Sequence, residues 1–177
     1  MAIAGATIEN KVAGFKLQWL QTVKDTGGAL VKCRMWLAPK AYMPVRHLHP
    51  NQAETFEIVH GQLKIECDSI THLIPAGASF TVPKGKAHQW WNQSTTDELE
   101  MQVTMTPAGN WETQMEQVFG IMNAKGKLSF LQIMAMLREY EMYIAGPPLV
   151  IQKVMSTILY PVARLRGLKK YYPEYSR

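Results

Sequence analysis

Apolar and polar positions alternate through much of the first part of the chain. Phe15, Leu17, Trp19, Gln21 and Val23 oppose Lys16, Gln18, Leu20 and Thr22, the period-two pattern of a half-buried strand. Residues 29–38 repeat it, with Val31, Cys33, Met35 and Leu37 on one side and Lys32 and Arg34 on the other. Leu63, Ile65 and Cys67 form another inward row. Leu99, Met101, Val103 and Met105 form the clearest one, set against Glu98, Glu100, Gln102 and Thr104. Asp25-Thr26-Gly27-Gly28 marks a turn. Gly61, between two alternating runs, predicts a tight hairpin, because such a turn needs a residue that tolerates positive φ. Pro83-Lys84-Gly85 reads as a further turn, with proline presetting φ. Short strands at close spacing, divided by Gly, Pro and Asp, predict an all-β sandwich or small barrel.

After Thr106-Pro107-Ala108-Gly109 the period becomes helical. Residues 112–122 suit a helix that buries Met115, Val118, Phe119 and Met122. Residues 128–144 place Phe130, Ile133, Leu137, Tyr140 and Ile144 on one helix face, widened by Leu131, Met134 and Met136. Gly146-Pro147-Pro148 stops this helix and starts another, since proline is tolerated in a first turn. Val150, Val154, Ile158, Val162 and Leu165 form the apolar side of the last helix, interrupted at Pro161 and capped at Gly167. The organisation expected is a β-barrel over 1–107 and a helical extension over 108–177, packed on the barrel or on a partner subunit.

Composition narrows the class. A chain of 177 residues holds one domain, or one with an appendage, and buries a core without staples. Cys33 and Cys67 both fall in strand-like runs, which argues against a disulfide framework and suits a reducing compartment. Met1-Ala2-Ile3-Ala4-Gly5 lacks the charged start and long apolar stretch of a secretory signal, so a cytoplasmic location is expected. The formal charge of +5 is uneven: residues 1–107 carry ten Lys/Arg and nine Asp/Glu, residues 108–177 nine and five. No basic run carries interleaved aromatics on a recognisable module, which argues against nucleic acid. Arg164, Arg166, Lys169 and Lys170 lie beside apolar and aromatic residues, as in an interfacial helix. Packing on the barrel or a subunit is the first expectation for this helix, and contact with a membrane surface the lesser one.

Two runs carry the chemistry. The first holds His47, His49, Glu54 and Gly61; the second holds Gly77, Pro83, Gly85, His88 and Asn92. Residues two apart on a strand point the same way, so His47 and His49 can share one interior, joined by Glu54 from the next strand and by His88. Three imidazoles and one carboxylate suit a borderline first-row divalent ion and leave positions open for other ligands. Phe56 and Ile58 continue inward from Glu54, while Trp90 and Asn92 share the His88 side of their strand; these four are the expected pocket residues. Glu57 and Trp91 point the other way, and His60 and His72 lie outside both runs.

These runs resemble the two signature motifs of the cupin superfamily, G-x5-H-x-H-x3,4-E-x6-G and G-x5-P-x-G-x2-H-x3-N. The second is matched in full; the first departs only at its opening position, where Ala41 stands in place of glycine. The resemblance covers roughly residues 10–106 and implies a mainly β fold, a jelly-roll barrel of the RmlC-like type, followed here by C-terminal α-helices. It implies one divalent transition metal (Fe, Mn, Ni, Cu, Co or Zn) on His47, His49, Glu54 and His88. With it go a small-molecule ligand or substrate, a homodimer, and oxygenase, dioxygenase-like, isomerase, epimerase or decarboxylase chemistry. Neither run offers a second acid or base, so no further catalytic residue is assigned, and a non-catalytic metal- or ligand-binding or sensing module is the alternative.

Overall fold

The computed structural model describes residues 2–176; Met1 and Arg177, the outer ends of the two expected segments, lie outside the described residues. Two antiparallel sheets face each other. The first has the order β1-β2-β3-β10-β5-β8 and comprises β1 (Thr7–Asn10), β2 (Phe15–Gln21), β3 (Val31–Leu37), β5 (Ala53–His60), β8 (Ser79–Val82) and β10 (Leu99–Thr106). The second has the order β11-β4-β9-β6-β7 and comprises β4 (His47–Leu48), β6 (Gln62–Cys67), β7 (Ile70–Pro75), β9 (His88–Asn92) and β11 (Tyr143–Ile144). A short helix α1 (Val23–Thr26) follows β2, and beyond β10 the described residues form three α-helices, α2 (Trp111–Lys125), α3 (Phe130–Tyr140) and α4 (Leu149–Leu165), and a 3-10 turn at Pro173–Tyr175.

The alternation seen in the sequence is the burial pattern of the strands. Leu17, Trp19, Val31, Cys33, Leu37, Leu63 and Ile65 are buried, and β10 buries Leu99, Met101, Val103 and Met105 completely. Each such side chain contributes about 1.5–3 kcal/mol on leaving water. Hence β10, held between β3 and β5, is the spine of the first sheet. The opposite sides of these strands are polar and paired: Lys32 Nζ meets Glu57 Oε2 at 2.7 Å, and Arg34 Nε meets Glu100 Oε1 at 3.3 Å.

Gly61 takes the positive φ expected of it, +85°, but not in a hairpin. β5 pairs with β10 and β8, whereas β6 pairs with β7 and β9, so this single residue carries the chain from one sheet to the other. A tight crossing needs the same backbone freedom as a tight turn, which is why the two look alike in sequence. Val23 likewise leaves the strand pattern: Thr22 caps α1 through a capping box with Asp25.

The extension closes one end of the barrel. Trp111 and Phe119 of α2 join the barrel core, with the Trp111 ring edge-on to Trp19 at 6.0 Å and Phe119 at 6.4 Å from Phe15. α3 ends at Tyr140, four residues short of its expected end, because Glu141 turns left-handed at φ +49°. Tyr143 and Ile144 then pair with Leu48 and His47. An unfilled edge beside β4 gives these backbone groups partners, and that outweighs the helical period of their side chains.

The last segment docks through tyrosine. Tyr172 is buried; its N–H donates to Gln117 Oε1 at 2.7 Å and its hydroxyl to Gln132 Oε1 at 2.8 Å. Tyr175 lies over Gly120, where an added Cβ would sit 2.2 Å from the ring's Cγ. Alanine normally favours a helix interior over glycine by about 1 kcal/mol. Gly120→Ala is nonetheless expected to destabilise by about 1–2 kcal/mol, since overpacking of this kind costs about 1–3 kcal/mol. Limited proteolysis after Lys169 or Lys170 should then accelerate; an unchanged cleavage rate and melting temperature would contradict the docking.

Candidate metal centre

Four buried side chains meet where the two sheets face each other. His47 on β4 and His88 on β9 are register partners, which sets their rings side by side with centroids 4.3 Å apart. His49 follows β4 and is steadied by its own carbonyl, which accepts the Gly85 N–H at 2.8 Å. Its ring stands at right angles to His47, with centroids 5.1 Å apart. Glu54 enters from β5 in the other sheet. One donor atom from each of the four lies within 4.8 Å of all the others.

The hydrogen bonds around the rings decide which nitrogens are free. His47 Nδ1 lies 2.9 Å from the Val45 carbonyl, and His88 Nδ1 lies 3.0 Å from the Lys86 carbonyl. A carbonyl only accepts, so both Nδ1 atoms carry a proton and Nε2 of each ring is turned to the centre. His49 keeps a buried Nδ1 with no hydrogen-bond partner. His88 Nε2 then faces Glu54 Oε2 at 2.9 Å. Either a proton or a cation must lie between them.

Burial drives the electrostatics. It holds the His47 pKa well below its ordinary value, helped by His88 and His49, and brings His49 down to about 4, with Glu54 opposing. These two rings are therefore neutral and ready to donate. Burial also works against charge on His88, yet the hydrogen bond and charge of Glu54 outweigh it and raise the pKa of that ring. The set fits a divalent ion: neutral imidazoles with orientated lone pairs, one carboxylate, and carbonyls behind two of the rings that fix their tautomers.

Beside the centre is a cavity of about 120 Å³, into which His47, His49 and Glu54 open. Phe15, Met35 and Trp90 wall it from the barrel, and Met115, Val118 and Phe119 close it from α2. Of the four expected pocket residues, Trp90 lines this cavity. Phe56 packs behind it, 6.3 Å from the Trp90 ring, within the barrel core. Ile58 and Asn92 each stand four residues along a strand from the nearest donor, about 13 Å away at 3.3 Å per residue. Ile58 joins the core there, opposite Met101. The Asn92 side chain is committed to backbone: it donates to the carbonyls of Leu37, Ala38 and Asp97 and accepts from the Ser94 N–H. Gln114 and Tyr143 line the cavity without having been singled out in the sequence, for they lie outside both motif runs. Helical spacing revealed the apolar face of α2 but not the glutamine beside it.

Residues 33–105 match the family model of the cupin domain. The chain is 24% identical over 153 residues to an oxidoreductase of Arthrobotrys oligospora, an alignment that covers 75% of this chain and 59% of that protein. The chain thus spans about three fifths of the length of the relative it matches. Among solved structures it is similar to an RmlC-like cupin from Shewanella frigidimarina, at 21% identity over 54% of this chain and 78% of that one, with a TM-score of 0.46. It is also similar to a sugar phosphate isomerase of the cupin superfamily from Silicibacter pomeroyi, at 23% identity over 56% and 64% of the two chains, with a TM-score of 0.48. The family match runs from within β3 to within β10 and includes all four clustered donors, so it is the barrel segment holding the candidate site that matches the cupin domain.

Proposed function

We propose that the chain is a metal-dependent enzyme acting on a small, largely apolar molecule that carries an oxygen function, with oxygenase, isomerase or epimerase chemistry as the cupin resemblance implies. The observation that carries this reading is the convergence of one donor atom from each of His47, His49, Glu54 and His88, all buried and all within 4.8 Å of one another. His47, His49, Glu54 and His88 would hold the ion, which when bound supplies Lewis-acid polarisation of a substrate oxygen. The name of the Arthrobotrys oligospora relative, an oxidoreductase, is in keeping with this class.

The remaining work falls to the cavity wall. Phe15, Met35, Met115 and Phe119 exclude water and select an apolar body. Besides His49 Nδ1, two buried polar atoms on the described cavity residues have no hydrogen-bond partner, the Trp90 Nε1 donor and the Gln114 Oε1 acceptor. In this reading they orient the substrate, Trp90 toward an oxygen and Gln114 toward a hydroxyl. Gln114 is itself braced, since its Nε2 donates to Met142 Sδ at 3.2 Å. Burial, with Glu141 adding, raises the Tyr143 pKa, so this cavity residue is a protonated phenol at neutral pH.

One observation favours the non-catalytic alternative: among the described lining residues, Glu54 is the only carboxylate, and it belongs to the donor set. The test is turnover of a panel of small aromatic alcohols and oxo-acids by metal-reconstituted protein. Metal-dependent turnover that vanishes in His49→Ala supports the enzyme, and tight binding of a panel member without turnover supports the module. Gln114→Leu is expected to raise KM about tenfold, the worth of one hydrogen bond in a closed site. An unchanged KM would remove Gln114 from recognition. Light scattering on the same sample tests the expected homodimer.

A further inference from the structure

Helix α4 is mounted the opposite way round from an ordinary surface helix. The residues it buries are Gln152, Ser156 and Ala163. Gln152 Nε2 donates to the Ile144 and Pro147 carbonyls and its Oε1 accepts the Ile144 N–H, while Ser156 Oγ donates to the Met134 carbonyl at 2.7 Å. The apolar side read from the sequence therefore points outward. Val150, Ile151, Val154, Ile158, Val162 and Leu165 are between 41% and 89% exposed. At 3.6 residues per turn they occupy the sector roughly opposite the buried polar one. A contiguous outward apolar face of this kind marks a contact surface, because isolated exposed apolar residues do not fall on one stripe.

We infer that α4 seats the chain on an anionic membrane surface. Between Glu141 and Glu174 there is no acidic residue, and five cations, Lys153, Arg164, Arg166, Lys169 and Lys170, lie along or just beyond the helix. Among the described residues, only Lys170 of these five has an acidic side chain within ion-pair distance, Glu139 at 3.9 Å. An apolar face bordered by such a one-signed charge field complements lipid headgroups outside and acyl chains beneath. A second copy of the chain is the poorer occupant, since a symmetric pairing through this face would bring two sets of five cations together. The helix lies in the surface rather than through it: no helix of the described residues is long and apolar enough to cross a membrane.

Flotation of the full chain with phosphatidylcholine vesicles, with and without phosphatidylglycerol, tests this. The chain should float with the anionic vesicles at low salt, stay behind with the neutral ones, and come off as salt shortens the screening length. Val154→Ser combined with Ile158→Ser is expected to weaken flotation about tenfold, from the apolar area removed. Both positions are exposed, so circular dichroism should be unchanged. Absence of flotation at low salt, or equal flotation with neutral vesicles, overturns the inference. So does a mass of two chains by light scattering that falls to one in this double variant without flotation, which would assign the face to a second copy.

Discussion

Replacing His88 by alanine is expected to abolish metal binding, taking natively expressed protein from near one transition-metal ion per chain to background by elemental analysis. The ring supplies one of four donors and is the one that faces Glu54 at 2.9 Å, so its loss also leaves a buried carboxylate without a partner. Because that alone destabilises a fold, His88→Gln serves as the second variant, keeping a polar group opposite Glu54 while removing the imidazole. The thermal signature separates the two effects. A ligand present at a hundred times its dissociation constant stabilises by about 2.7 kcal/mol, which for a chain of this size raises the melting temperature by about 5–10 °C. Chelation should thus lower the melting temperature of the parent protein by that amount and leave His88→Gln unmoved. Full metal content in both variants would dismiss the four-residue centre.

Asn92→Ala should act on folding and spare binding. Its amide, buried at 3% exposure, holds three carbonyls and one N–H at the end of β3 and in the segments after β3 and β9. Each buried backbone group left unpaired costs about 1–3 kcal/mol, and some of these carbonyls recover partial partners, so a loss of about 2–4 kcal/mol is expected. Chemical denaturation should show that loss, while metal stoichiometry and KM of the folded protein stay at parent values. A shifted KM with intact stability would return Asn92 to the pocket expected of it from the sequence.

That contrast shows how far strand parity reaches. Parity correctly put Asn92 on the same side of β9 as His88, as it put Ile58 on the same side of β5 as Glu54. It carries no information on depth, and about 13 Å along a strand separates a donor from the far end of the core. Trp90, two residues from His88, is close enough to line the cavity. Gly61 has a similar lesson: its positive φ was legible, but whether the chain turned back or crossed between sheets depended on which strands later claimed β5 and β6.

By itself the sequence determined the strand faces, the change to helices after Pro107, and which four side chains had the spacing to converge, because alternation and motif spacing are properties of neighbouring residues. Only the tertiary structure decided what those elements meet. α2 turned its apolar face onto the open end of the barrel and made the cavity, and Tyr143 and Ile144 left the helical period to fill an edge beside β4. α4 buried Gln152 and Ser156 because the Ile144, Pro147 and Met134 carbonyls offered them partners, and its valines and isoleucines were left facing out. A helical wheel shows that a face is apolar; which face turns inward is decided by the hydrogen-bonding groups of the surface on which it lands.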